Sequence, residues 1–440
     1  MGHRVWRAAL SGALLTLVGA QAHAVEPQSD VQGAQFEAGR KVFEKIWGPS
    51  EGLGPLFNTR SCVSCHLNAG RGAPPSGPAG HSDSMTIKLG VLPASEAEAN
   101  KLLTRIISSF PEPVYGHQLQ TRSVEGQASE GTFTAAYRAV KVQLSDGSIT
   151  LREPVFTLKT AEPGKLTPGT LTSPRIANSL FGLGLLEAIA DEDILAKADV
   201  QDRDGDGISG KPNMIRDAST LKVKLGRFGW KAGQPTVRQQ NAAAFALDIG
   251  LSTSLFPKPS GDCTPQQSSC VKLSGGPGPE ISDTLLDALT AYIGSLPVPA
   301  PGGDSVPDLA AGQALFHKAG CAGCHTPSFT TATDQTIPEH LRGQKISPYT
   351  DLLLHDMGDG LADTFLEGDA DYWEWRTPPL WGIGRNTEIN GNGFYLHDGR
   401  ARTLLEAIMW HGGEAKKAQE AVASMTSMER DQLIAFLKSI

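Results

Sequence analysis

Apolar residues recur at helical spacing in four short segments of the chain, and these segments form two pairs. Residues 35–43 and 308–316 each carry an Ala-Gly step and end on a phenylalanine, which predicts two amphipathic helices of similar design. Residues 283–293 and 429–440 follow the same spacing and predict a closing helix for each half of the chain. The same order of helices in both halves predicts an internal repeat of two related modules.

A proline-rich segment separates the two modules. Residues 296–307 contain four prolines and two glycines, which is typical of an interdomain linker. We therefore predict one domain over residues 25–295 and another over residues 308–440. The first domain is the longer one, so it must carry a large insertion.

Residues 1–24 have the features of a secretory signal peptide. Two arginines precede an apolar run over residues 8–20, and the sequence Ala-His-Ala at 22–24 provides a cleavage site of the small-x-small type. No later stretch approaches the ~20 apolar residues that a membrane helix needs. The sequence thus predicts a soluble protein that is exported to the periplasm and has no membrane span.

Each module contains one Cys-x-x-Cys-His sequence, at residues 62–66 and 321–325. This spacing is what covalent c-type haem attachment requires, because the two thiols add to the haem vinyl groups and the adjacent histidine binds the iron. A zinc site would hold its two cysteine pairs within about twenty residues of each other, far closer than these pairs lie. We predict two covalently bound haem c groups, attached through Cys62, Cys65, Cys321 and Cys324, with His66 and His325 as the proximal iron ligands.

The two motifs lead to a prediction of the fold class. We expect a mainly α protein made of two cytochrome c-like haem domains, with long loops and a large insertion in the first. The 49 glycines and 29 prolines of the chain agree with long loops.

The remaining cysteines and the net charge bear on compartment and partners. Cys263 and Cys270 are predicted to form a local disulfide after export, with two free thiols as the alternative. The formal net charge of -8 argues against nucleic acid and anionic membrane surfaces as partners.

An acidic loop is a candidate cation site. Asp202, Asp204 and Asp206 match positions 1, 3 and 5 of a calcium loop, a glycine follows, and the carbonyl oxygen of Ile208 matches position 7. Position 12 is Asn213 instead of the usual bidentate glutamate. We predict calcium binding here, with a solvated acidic turn as the alternative.

Several longer stretches resemble known dihaem enzymes. Residues 352–358 (LLLHDMG), 181–189 (FGLGLLEAI) and 410–415 (WHGGEA) resemble the di-haem oxidoreductase family, whose members are often described as peroxidases. Residues 376–380 (RTPPL) and 394–400 (FYLHDGR) resemble the broader group of bacterial dihaem cytochrome c peroxidases and the methylamine-utilisation enzyme. The narrower resemblance covers nearly the whole chain after the predicted signal peptide.

The resemblance implies a peroxidase-like oxidoreductase. One haem would accept electrons from a small donor protein, a cytochrome or a cupredoxin, and the other would reduce a small oxidant such as hydrogen peroxide. Related peroxidases also imply a homodimer. Two alternatives stay open: a dihaem cytochrome that only transfers electrons, and a dihaem oxidase or oxygenase that acts on an organic or protein substrate.

The resemblance also bears on the sixth ligand of each iron. Peroxidases place a methionine fourteen residues after the histidine that matches His397, and in this chain that position is His411. We predict His411 as the second axial ligand of the second haem, which would lower the haem potential relative to methionine ligation. Met425, Met428 or an open position are the alternatives.

For the first haem, the resemblance implies a releasable histidine in a glycine-rich loop, and His81 lies close to the expected place. Met85 and His117 are the alternatives.

Peroxide cleavage also needs a group that moves a proton between the two oxygens. Glu187, His355 and His397 are candidates, and the sequence does not select among them.

Overall fold

The computed structural model describes residues 33–75, 82–161, 164–259, 261–273, 278–300 and 309–440. The predicted signal peptide, His81 and most of the predicted linker lie outside these residues.

Thirteen α-helices occur in the described part of the chain, and most of them are short. They are α1 Gly33–Glu44, α2 Cys62–Cys65, α3 Glu96–Leu103, α4 Leu183–Glu187, α5 Asp191–Leu195, α6 Val237–Ala244, α7 Ser268–Leu273, α8 Asp283–Gly294, α9 Leu309–Lys318, α10 Asn386–Asn390, α11 Leu404–Met409, α12 Lys416–Ser424 and α13 Ser427–Ser439.

Twelve strands of the described residues pair into six two-stranded antiparallel sheets. The strands are β1 Leu56–Phe57, β2 Met85–Gly90, β3 Arg122–Ser123, β4 Gly131–Leu144, β5 Gly147–Thr160, β6 Leu171–Ile176, β7 Met214–Arg216, β8 Val223–Leu225, β9 Phe329–Thr330, β10 Lys345–Ile346, β11 Leu354–Asp356 and β12 Glu374–Arg376. The pairs are β1 with β3, β2 with β6, β4 with β5, β7 with β8, β9 with β10, and β11 with β12.

The prediction of a mainly α fold is wrong, and the expected pair of cytochrome c-like domains is not confirmed. The described residues are 33% helical and 19% strand. Much of the strand content comes from the insertion in the first half, where all 14 residues of β4 pair with β5. Threonine, valine and aromatic residues recur along this hairpin, and such residues favour strands. The helical periodicity near the two motifs carries the prediction of a mainly α fold, and it does not report the strand content of the insertion.

The four predicted helices are confirmed, and a glycine explains each of two crossings between them. Helix α1 packs against α8, where a β carbon at Gly39 would lie 2.1 Å from the carbonyl oxygen of Ala288. Helix α9 packs against α13 in the same way, since a β carbon at Gly312 would lie 2.3 Å from the carbonyl oxygen of Gln432. The Ala-Gly step repeated in the sequence is therefore a repeated close approach of two helix backbones.

Two apolar cores are built from residues on both sides of segment 296–307. The first contains Phe43 and Phe245 together with Leu353 from the second half. The second contains Phe316 and Phe436 together with residues of the first half, such as Ile87 in β2 and Phe133 in β4. The insertion of the first half thus packs on the second, while the domain boundaries themselves stay a prediction.

Within the described residues, no helix combines the length and the apolar character that crossing a membrane would require.

We expect Gly39→Ala and Gly312→Ala each to destabilise the holoprotein by about 1–3 kcal/mol, because the added methyl group must push two helix backbones apart. Gly33→Ala is the matched control, since a β carbon at Gly33, in the same α1 helix, meets no atom within 4 Å. Thermal unfolding of the three variants measures the effect. Equal stability of Gly39→Ala and Gly33→Ala would show that the crossing is not as close as described.

Candidate functional site

The two Cys-x-x-Cys-His motifs fold into the same single helical turn. The backbone N–H of His66 donates to the carbonyl oxygen of Cys62 at 3.0 Å, and that of His325 donates to Cys321 at 3.0 Å. None of the four motif cysteines forms a disulfide, and all four are half-buried. Each turn therefore presents two thiols and one imidazole together.

Each motif borders a cavity of its own. The first cavity has a volume of about 230 Å³ and is lined by Cys62, Cys65 and His66. The second cavity has a volume of about 420 Å³ and is lined by Cys321, Cys324, His325 and His411. Most of the remaining lining is apolar, as expected for a cofactor pocket.

The second cavity brings together two histidines whose Nε2 atoms are available. Nδ1 of His325 lies 2.9 Å from the carbonyl oxygen of Tyr349, and Nδ1 of His411 lies 2.8 Å from that of Ala407. A hydrogen bond at Nδ1 fixes the tautomer and leaves Nε2 to bind a metal. Burial lowers the pKa of His325 to about 4 and also lowers the pKa of His411, so both rings are neutral at neutral pH.

The local sequence explains where His411 lies. Thr403 caps helix α11, because its Oγ1 accepts the backbone N–H of Glu406 at 3.1 Å. The helix ends at Met409, so His411 follows the last turn and its ring reaches back to that turn. The alternative ligands lie elsewhere, since Met425 is buried in the second core and Met428 is 68% exposed.

In the first cavity, His66 is the one histidine or methionine among the described lining residues. Its Nδ1 atom is buried and has no hydrogen-bond partner among the described residues, and burial lowers its pKa. His81 lies outside the described residues. Met85 is buried in the second core, and Nδ1 of His117 lies 2.8 Å from Asp262, so neither alternative lines the first cavity.

One wall is common to both cavities. Arg71, Trp230, Arg376 and Pro378 line the first cavity and the second. The guanidinium of Arg71 lies over the ring of Trp230, 5.2 Å from its centroid. The indole N–H of Trp230 donates to the carbonyl oxygen of Ile176 at 2.8 Å, which holds the ring in the wall.

The charges of this wall fit haem. Arg71 and Arg376 form no ion pair with a described residue, and burial lowers the pKa of each to about 10. Their hydrogen bonds go to carbonyl oxygens, while Nε of Arg71 is buried without a partner. A buried cation without a counter-ion is costly. The carboxylates of haem propionates would supply the missing anions, so the residues present fit this cofactor.

The three acid-base candidates from the sequence do not line the first cavity. Oε1 of Glu187 accepts the backbone N–H of Val237 at 3.0 Å, at the start of helix α6, which is a structural role. His397 stacks on Trp375 at 3.8 Å, and burial lowers its pKa to about 3. His355 lies between two carboxylates, and both histidines line the second cavity.

Asp248 and Gln240 line the first cavity and were missed by sequence reasoning. Asp248 lies in a π-helical turn, Phe245–Ile249, that continues helix α6. Its Oδ1 accepts a hydrogen bond from Nε2 of the buried Gln118 at 2.7 Å. Burial and then the charge of Asp248 raise the pKa of the Cys62 thiol to about 12, which agrees with a carboxylate close to the motif. A π turn changes the helical register, so periodicity could not have identified this residue.

The acidic loop gathers three carboxylates beside the second motif. Oxygen atoms of Asp202, Asp204 and Asp206 lie within 4.8 Å of one another, and all three residues are exposed. Ile208 lines the second cavity, and a β carbon at Gly323 would lie 2.5 Å from its Cδ1. Asn213 does not complete the loop, because its buried Nδ2 donates to the carbonyl oxygens of Lys231 and Glu367 at 2.6 and 2.9 Å.

The predicted disulfide is confirmed. Cys263 and Cys270 are bonded, with their Cα atoms 6.1 Å apart.

Comparison with known proteins is consistent with these observations. A family model described as "Di-haem oxidoreductase, putative peroxidase" matches residues 31–440. No curated protein matches the chain. Two solved structures resemble it distantly. Hydrazine synthase from Kuenenia stuttgartiensis, pressurised with xenon, is 14% identical, with all of both chains covered and a TM-score of 0.32.

The other structure is a MauG-like protein associated with microbial copper homeostasis. It is 18% identical, with 59% of this chain and 85% of that chain covered and a TM-score of 0.28. Likenesses this low carry no argument about fold or function. The family match, in contrast, spans nearly the whole chain and agrees with the resemblance in the sequence. The chain therefore belongs to the di-haem oxidoreductase family.

Proposed function

We propose that this oxidoreductase is a periplasmic dihaem peroxidase that reduces hydrogen peroxide with electrons from a small cytochrome or cupredoxin. The observation that carries the proposal is the difference between the two cavities. In the second cavity, His325 and His411 each have Nδ1 bonded to a backbone carbonyl oxygen, which leaves Nε2 to bind a metal, whereas His66 is the only histidine among the described lining residues of the first cavity. An iron with one protein ligand can bind a small oxidant, and an iron with two ligands is suited to electron transfer.

The cysteine pairs of the two motifs would attach the haems covalently, with His66 and His325 as proximal ligands and His411 as the second ligand of the second haem. When bound, haem supplies the iron and the electrons with which the oxygen–oxygen bond of peroxide is cleaved. Arg71 and Arg376 would bind propionates from the wall common to both cavities. His81 remains a candidate for a releasable ligand of the first haem.

Asp248 would move the proton in the first cavity. Its Oδ1 is held by Gln118, while Oδ2 has no hydrogen-bond donor among the described residues. The carboxylate can thus take a proton from one oxygen of peroxide and return it to the other, which leaves as water. Gln240 lines the same cavity and can orient the peroxide. The overall reaction consumes two electrons and two protons per peroxide and releases two waters.

Trp230 lies between the cavity where electrons would enter and the cavity where peroxide would be reduced. Its ring belongs to the wall common to both cavities, so electrons that arrive at the second haem have a short path to the first. Periplasmic location is supported by the disulfide between Cys263 and Cys270, since such bonds persist in oxidising compartments.

We also propose that the loop of Asp202, Asp204 and Asp206 binds calcium. The amine of Lys417 donates to the carbonyl oxygen of Asp206 at 2.7 Å, which joins the loop to helix α12. The contact of Ile208 with Gly323 places the loop against the second motif. The cation would thus have a structural role beside the second haem.

Electron paramagnetic resonance of the holoprotein tests the proposed ligation. We expect a high-spin ferric signal from the first haem, in the oxidised or the half-reduced state, that peroxide consumes, and a low-spin signal from the second haem that peroxide leaves unchanged. His411→Ala should convert the second signal to high spin. Two low-spin signals that persist through half-reduction and ignore peroxide would instead indicate an electron-transfer cytochrome.

Asp248→Asn should lower kcat for peroxide reduction by about 10²–10⁴-fold, because the amide cannot accept the proton. Glu187→Gln is the matched control: it also neutralises a carboxylate, but Glu187 lies outside the first cavity and the glutamine keeps an acceptor for Val237. Steady-state kinetics with a reduced cytochrome measure both variants. An equal loss in the two variants would contradict the role of Asp248. Oxygen-dependent turnover of an organic substrate, without peroxide reduction, would favour the oxidase alternative.

Calcium should bind to the holoprotein weakly, with Kd on the order of 10⁻⁴–10⁻³ M, since the loop lacks the bidentate glutamate. Isothermal titration calorimetry measures the affinity, and Asp202→Asn combined with Asp204→Asn should abolish the binding. Asp193→Asn, which changes an exposed carboxylate of helix α5, is the control. The proposal fails if no heat is detected at millimolar calcium in the unchanged protein.

A further inference from the structure

Both ring nitrogens of the buried His355 face carboxylate oxygens. Nε2 lies 2.8 Å from Oδ2 of Asp351, and Nδ1 lies 2.7 Å from Oε2 of Glu414. An ionised carboxylate can only accept hydrogen bonds. Both nitrogens must therefore donate, so the ring carries two protons and a positive charge.

Other donors hold the two carboxylates in place. Oδ1 of Asp351 accepts the backbone N–H of Leu353 at 3.0 Å. Glu414 accepts the hydroxyl of Ser209 at 2.6 Å and its backbone N–H at 3.0 Å. Burial alone would raise the pKa of Glu414, but the hydrogen bonds from His355 and Ser209 lower it overall. Burial likewise opposes the charge on His355, yet its hydrogen bonds raise its pKa well above the usual value.

The charged ring lies against the attachment point of the second haem. Nδ1 of His355 is 3.5 Å from Sγ of Cys324, and the residue lines the second cavity. Burial raises the pKa of the Cys324 thiol, whereas the hydrogen bond and the charge of His355 lower it. Each of these effects of His355 is larger than the opposing effect of Asp351 or of Glu414. His355 and Asp351 are 2% and 1% exposed, so water screens this charge little.

A cation beside a haem favours the ferrous state, because it offsets the charge of the added electron. Ligation by two neutral histidines, in contrast, gives a low potential. We propose that His355 is a fixed cation that raises the reduction potential of the second haem and so lets it accept electrons despite its two histidine ligands. The proposal rests on haem attachment at Cys324, which belongs to the proposed function. His355 is thus a positioning residue that acts through its charge, not a catalytic one.

Potentiometric titration of the full-length holoprotein, followed by its optical spectrum, tests the proposal. His355→Gln removes the charge and should lower the midpoint potential of the second haem. We expect a change of at least about tenfold in the reduction equilibrium, which corresponds to ~59 mV for one electron. His355→Lys restores a cation between the carboxylates and should recover most of the potential. The first haem serves as the control within each molecule and should not shift.

Glu414→Gln provides a second, independent variant with the opposite expectation. It removes a negative charge from the same cluster, so the potential of the second haem should rise. An electrostatic role thus requires shifts of opposite sign in His355→Gln and Glu414→Gln. Shifts of the same sign, equal shifts of both haems, or no shift at all would overturn the proposal. If His355→Gln does not fold, a rise of the potential in Glu414→Gln supports the electrostatic role of the cluster, and a fall or no shift overturns it.

Haem content and covalent mass, measured on every variant, separate this proposal from the proposed function. A protein with fewer than two covalent haems would refute the attachment at the two motifs. Two covalent haems with unchanged potentials would refute the role of His355 and leave the peroxidase proposal intact. Peroxide turnover is not needed for either conclusion.

Discussion

The wall between the two cavities is the constraint on which the rest of the structure depends. It contains two buried arginines, Arg71 and Arg376, that form no ion pair within 4 Å with a described residue, and one indole, Trp230, that faces both cavities. Buried cations of this kind are stable only with an anion nearby. The wall therefore carries buried positive charge that the carboxylates of haem propionates would offset.

The helix crossings determine how the two motifs face this wall. At Gly39 and at Gly312 the absence of a side chain lets two helices touch through their backbones, and the motif turn follows soon after each of these helices. Because the same contact occurs twice, each motif is held against its own core by a similar pair of helices. The insertion then joins the two halves, since its hairpin contributes Phe133 and Leu151 to the second core.

The sequence predicts the features that depend on local chemistry, such as the spacing of the motif residues. Covalent attachment would require a strict spacing, so the sequence nominates His66 and His325 as ligands, and His411, which a count along the resembling family selects, lines the same cavity as His325. The fold class was predicted wrongly, because the hairpin lies in the insertion, away from the helices that were compared. Asp248 was missed because its place depends on a π turn and on contacts with residues distant in sequence, such as Gln118. Such contacts have no local pattern.

The two cavities differ in the ionisable side chain that lies beside the motif, which is the carboxylate of Asp248 in the first and the imidazole of His355 in the second. In the first, the carboxylate of Asp248 has one oxygen held by Gln118 and one without a donor among the described residues, and the proposed function uses this second oxygen for proton transfer. In the second, both nitrogens of His355 are occupied by carboxylates, which keeps the proton on the ring. A group that exchanges protons is useful where bonds are broken, and a fixed charge is useful where only electrons pass. The proposed function accordingly puts peroxide chemistry in the first cavity and electron entry in the second, on grounds separate from the number of histidines that line each.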